Sequence, residues 1–87
     1  MTSTLAVRLT DIPRIPFLQS KPVGYFSAHL YHVETLEHSD MIQSGGPYAE
    51  EAANTAARNW SCTNYLGVVI NHEGRAIAVY DCGKKIA

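Results

Sequence analysis

Ala49, Ala52, Ala53, Ala56, Ala57 and Trp60 recur at spacings of three and four, and this stripe constrains the fold more than any other feature of the chain. The spacing marks one face of an α-helix, and alanine is the strongest helix former. A face of methyl groups lets a helix axis approach its neighbour closely, so the stripe calls for a sheet to lie against, with Trp60 supplying bulk at its end. Ser44-Gly45-Gly46-Pro47 is a breaker cluster, and proline suits a first helical turn. The helix is therefore expected from about Pro47 to Trp60. Glu50 and Glu51 fall in its first turn, where negative charge opposes the positive end of the macrodipole. Glu50, Asn54 and Arg58 line the outer face.

Strand patterns surround this helix. Leu5, Val7 and Leu9 alternate and predict an opening strand, which stops at Asp11-Ile12-Pro13-Arg14-Ile15-Pro16. The prolines remove donors and push their predecessors into extended geometry, so an extended loop around Arg14 follows. Gly24 to Val33 predicts a second strand, with Phe26, Ala28 and Leu30 on one face and Tyr25, Ser27, His29 and Tyr31 on the other. Glu34 to Ser39 turns the chain, and Asp40–Gln43 returns as a short third strand. Asn64 to Asn71 is an apolar, β-branched run of the kind found in strands covered on both faces. His72-Glu73-Gly74 then turns into Arg75–Asp81, a β-hairpin pattern, and the tail from Cys82 to Ala87 is expected to fray. The expected architecture is a single α+β domain over residues 1–87: an antiparallel sheet of four to five strands with one helix packed on one face.

Composition excludes several functions. The chain has 87 residues, 46% hydrophobic and 17% charged, as an ordinary globule does. A domain of this size has little stability to spend on a pocket of unpaired charge, which disfavours an elaborate enzyme. Seven Lys+Arg against eight Asp+Glu give a net charge of -1, without the basic excess that phosphate neutralisation demands. No apolar run approaches the roughly 20 residues of a membrane span, and the first residues lack a signal-peptide pattern. The expectation is a soluble cytoplasmic protein.

No catalytic or metal-binding constellation is assembled. His29 and His32 lie three apart on a strand and point to opposite faces, so they cannot share one ion, even with His38 nearby. Cys62 and Cys82 flank the last hairpin without a CxxC pair, so no zinc template is met. Strand ends place them where a disulfide or two reduced thiols are both admissible. Glu50 and Glu51 diverge around the helix, and Glu34, Glu37 and Asp40 read as solvated charge. No Gly-rich phosphate loop is present. The alanine helix is similar to the last helix of double-stranded-RNA-binding domains, but Glu50 and Glu51 stand where those domains carry lysines, and two strands follow it.

Surface recognition remains. A single helix covers one sheet face, so Tyr25, His29 and Tyr31 are expected on an open face of aromatic and small polar character, suited to a protein partner. Glu50, Asn54 and Arg58 offer a second patch on the helix.

Two stretches carry a family resemblance. Thr10-Asp11-Ile12-Pro13-Arg14-Ile15-Pro16 is similar to a T-x-x-P-R-x-P segment, and the alanine-rich helix ending in Trp60, with Ser61 and Asn64-Tyr65 before an aliphatic strand, follows it at matching order. Both resemble the small phage-encoded anti-CRISPR proteins that act on the type I-F surveillance complex. Pro13, Arg14, Pro16, Trp60, Asn64 and Tyr65 match the pattern, and Arg14 is the best placed of them to touch a partner. The run from Phe17 to Val23 and the turn from Glu34 to Ser39 are longer than the family needs. The resemblance implies an inhibitor without enzymatic activity or cofactor that binds a CRISPR effector subunit in the host bacterial cytoplasm, blocking DNA recognition or nuclease recruitment. The alternative is a small phage or bacterial regulatory module, antitoxin-like, acting as a homodimer.

Overall fold

The computed structural model describes residues 7–14, 23–47 and 50–87. The alternating and β-branched segments form β1 (Tyr25–His32), β2 (His38–Pro47), β3 (Tyr65–Ile70), β4 (Ala76–Asp81) and β5 (Lys84–Lys85). They build one five-stranded sheet in the order β2-β1-β3-β4-β5, antiparallel throughout. The alanine stripe becomes α1 (Glu50–Trp60), which packs on β1 and β3. This is an α+β fold with a single helix on the sheet among the described residues. That helix is not long and apolar enough to cross a membrane.

The unbroken apolar run occupies the sheet centre, and Leu66 to Ile70 are all buried. Ala53 and Ala57 are fully buried against Ala28, Val69, Ala78 and Tyr80 on the helix side. Their methyl groups bring the helix so near that its backbone at Ala57 lies directly over Gly67 of β3. That approach leaves no depth for an indole. Trp60 accordingly ends the helix 60% exposed rather than filling the interface as its spacing predicts.

Four local expectations are corrected. Leu9 belongs to a 3-10 turn (Leu9–Asp11) instead of a strand, because Asp11 Oδ2 accepts the Arg8 backbone N–H at 2.9 Å and folds the chain back on itself; the rest of the predicted strand, residues 4–6, lies outside the described residues. Ser44-Gly45-Gly46-Pro47 does not break the chain or open the helix but completes β2, with Pro47 opposite Tyr25 and Gly46 opposite Phe26. Proline and glycine are tolerated there because, among the described residues, β2 is an edge strand with one side unpaired. The third strand thus runs from His38, not Asp40, and the helix starts at Glu50.

The tail does not fray. Cys82 and Gly83 both take positive φ, 50° and 85°, the pairing that reverses a two-residue hairpin. The chain then returns along β4, where Ile86 N–H donates to the Val79 carbonyl at 2.8 Å and Val79 N–H to that of Ala87 at 3.1 Å.

The largest correction concerns the sheet face turned away from the helix. Tyr25, His29 and Tyr31 do share it, but it is not open: His29, Tyr31 and Ser27 are fully buried and Tyr25 is half-buried. Ile12 of the N-terminal segment packs into a second core with Tyr31, Leu66, Val68, Ile70 and Val79, and Val7, Ile86 and Ala87 close around it. Burying the apolar side chains of β3 and β4 on this face outweighs leaving a chain end in solvent.

Candidate functional site

The segment that carries Arg14 is tied down at two points. Tyr31 donates its hydroxyl hydrogen to the Pro13 carbonyl at 3.0 Å. Arg14 Nε donates to the Glu73 carbonyl at 2.8 Å, joining the segment to the β3–β4 turn. That turn is itself braced by Asn71, whose Oδ1 accepts the N–H groups of Glu73 at 2.9 Å and Arg75 at 3.0 Å. Between segment and turn lies a cleft of about 350 Å³ with Leu9, Ile12, Pro13 and Ala76 in its walls and Arg14 and Arg75 at its rim. Arg14 is exposed.

Tyr31 is the pin beneath this segment, and burial pushes its phenol up to about 12. Tyr31→Phe keeps the packed ring and removes one hydrogen bond, worth about 1 kcal/mol. The expected result is a melting temperature lower by roughly 5 °C and faster amide exchange at Ile12, whose N–H donates to the Leu9 carbonyl. Unchanged melting together with unchanged Ile12 protection would show that the pin contributes nothing.

Behind Tyr31 a polar chain runs from buried Ser27 and His29 out to exposed His38. Ser27 Oγ and His29 Nε2 are 2.7 Å apart, and His29 Nδ1 and His38 Nε2 are 2.9 Å apart. Tyr31 meets the His38 ring edge-on, with centroids 5.4 Å apart at 88°. Irregularities in the β1–β2 register bring His38 across to this position. The chain is satisfied in either direction: Ser27 donates to His29 and His29 to His38, or the reverse. Desolvation lowers His29 from 6.5 to about 4, aided by the charge of His38 and opposed by that of Asp40. Desolvation lowers His38 as well, again against Asp40. A serine beside a histidine suggests a nucleophile, but Ser27 is fully buried, and Ser27, His29 and His38 line neither the cleft beside Arg14 nor the one beside His32.

The remaining residues singled out in the sequence sit apart. Asn54 is drawn inward: its Oδ1 accepts the Tyr80 hydroxyl at 2.7 Å while its Nδ2 donates to the Glu50 carbonyl at 2.9 Å. Arg58 lies over the Tyr80 ring, 5.6 Å from its centroid. Glu50 and Arg58 are exposed on that flank. His32 is exposed and its ring lies 5.1 Å from that of Tyr65, beside an acidic cleft of about 430 Å³ that includes Glu34, Glu37 and Asn64. Cys62 and Cys82 are free and exposed. Among the described residues no group of three His, Cys, Asp or Glu side chains could hold a metal ion.

The pairing of His29 with His38 and the Arg14–Arg75 cleft are absent from the sequence-based expectations. His38 was visible only as a histidine at the far end of the β1–β2 turn; the register irregularities that seat it have no sequence mark. Comparison with family models, curated proteins and solved structures finds no match to this chain.

Proposed function

We propose that the protein is a non-enzymatic inhibitor that binds one protein subunit of a type I CRISPR effector complex in the bacterial cytoplasm, blocking target-DNA recognition or nuclease recruitment. The observation that carries this reading is the position of the Thr10–Arg14 part of the T-x-x-P-R-x-P segment. It is held against the sheet by the Tyr31–Pro13 bond, and Arg14 stands exposed at the rim of a concave surface. A short segment pre-ordered in this way loses less entropy on binding than a free loop. A net charge of -1 favours a protein surface over wholesale mimicry of DNA, which calls for a strongly acidic face. This reading puts the partner on the Arg14 side, since His29 and Tyr31 are buried.

The test is retention of the purified protein on immobilised type I effector complexes, with Arg14→Glu as the comparison. Retention at micromolar concentration, weakened about ten-fold or more by the charge reversal, is the expected result. No retention on any complex overturns the reading. A concentration-dependent dimer without effector binding would favour the regulatory alternative, for which the outer side of β2, unpaired among the described residues, offers a sheet edge.

A further inference from the structure

The rim of the Arg14–Arg75 cleft carries more positive than negative charge. Arg14 uses Nε on the Glu73 carbonyl and has no other partner among the described residues, so its two Nη groups are available. Arg75 reaches Glu73 only loosely, with Nε 4.0 Å from Oε1 and both side chains more than half exposed. Arg8 and Asp11 pair with each other at 3.4 Å and cancel. The Glu73 carboxylate thus faces Arg75 alone, Arg14 holding only the Glu73 backbone carbonyl, and Leu9, Ile12, Pro13 and Ala76 line the cleft beside the two guanidiniums.

We propose that this cleft docks an acidic side chain flanked by apolar residues, presented by an extended segment of the partner protein. The proposal rests on the reading of the protein as an inhibitor that binds a protein subunit. A guanidinium fork matches the two oxygens of a carboxylate. An exposed ion pair contributes little affinity alone, so the apolar floor must hold the neighbouring side chains while the charge selects among them. The Glu73 carboxylate beside Arg75 makes the site a poor match for a run of phosphates, which favours isolated carboxylates. The walls are already in place, since Asn71 braces one side and Tyr31 the other.

The probe is the capped tripeptide acetyl-Phe-Glu-Phe-amide, compared with acetyl-Phe-Gln-Phe-amide, titrated into the whole chain and followed by amide chemical shifts. The glutamate peptide is expected to bind with a dissociation constant on the order of 1 mM, moving Leu9 to Arg14, Arg75 and Ala76. The glutamine peptide and the Arg14→Gln/Arg75→Gln double variant should each weaken it roughly ten-fold. The variant's unmoved amide spectrum in α1 and β3 shows that it folds. Equal binding of the two peptides, shifts elsewhere, or equal binding of a short single-stranded DNA at the same residues overturns the proposal. On the effector complex, wild-type binding that the double variant retains also overturns it and leaves the inhibitor reading standing. Peptide binding with no effector binding overturns the inhibitor reading and leaves the carboxylate site standing.

Discussion

Replacing Gly67 by alanine is expected to remove most of the fold's stability at 25 °C. A Cβ at this position in β3 would overlap the Ala57 carbonyl oxygen and lie 2.6 Å from its carbonyl carbon and 2.9 Å from its Cα. All three atoms are helix backbone, so no rotamer change relieves the clash, and trimming Ala57 to glycine would not rescue it. Either α1 lifts off the sheet, exposing Ala53, Ala57 and Val69, or β3 distorts at the centre of the fold. Such overpacking costs on the order of 4 kcal/mol, close to the whole stability of a domain this small, about 5 kcal/mol. The melting temperature should fall by roughly 20 °C or more. Gly83→Ala is the control: nothing lies within 4 Å of its Cβ and only the positive φ of 85° is strained, so about 1 kcal/mol is lost. If Gly67→Ala melted within a few degrees of the wild type, the close helix–sheet approach would be wrong.

The same contact explains why the helix and the β3–β4 hairpin were legible in the sequence. Ala53 and Ala57 announce a helix lying close on something, and the run Leu66 to Ile70 announces a strand covered on both sides. Each pattern demands the other. The opening strand was misread because its three alternating residues stand against a local competitor, the Asp11 carboxylate folding the chain onto Arg8. Gly45-Gly46-Pro47 was misread because breakers act differently on an edge strand, and nothing in the residues of β2 says that it lies on an edge.

The far face failed for a different reason. Strand alternation put Ser27, His29 and Tyr31 on one side correctly, and their polar atoms suggested water. Here the polar atoms satisfy one another: Ser27 with His29, His29 with His38, Tyr31 with the Pro13 carbonyl. That pairing is what permits burial, since unpaired polar groups would make it costly. It depends on partners 9 and 18 residues away in sequence, which strand periodicity does not report. Arg14 was visible as a candidate through its segment, but Arg75 was not, because the hydrogen bond joining their two loops spans 59 residues.

Buried His29 sets the second large effect: the fold is expected to lose stability as pH falls from about 6.5 towards 4. His29 titrates at about 4 in the folded state against 6.5 for the free side chain. Between those values the unfolded chain binds the additional proton, so stability rises with pH and is fully present only above the upper value. The loss accumulated by pH 4 is about 3 kcal/mol. His38, also lowered, acts in the same direction, and Asp40 opposes both. One extra proton can be shared along the chain, but with both rings protonated two N–H groups would face each other across the 2.9 Å gap, parting β1 from β2. Asp11 does not confuse the window: its carboxyl, held below 3.8 chiefly by the Arg8 backbone N–H, is protonated only at lower pH. Urea midpoints measured from pH 7.5 to pH 4 should therefore fall steeply in the wild type and distinctly less in His29→Gln, which starts less stable. Titration of the His29 ring by NMR in the wild-type protein gives a reading that does not depend on the folding of that variant. A midpoint near 6.5 would mean that the ring is solvated and that the far face of the sheet is open after all.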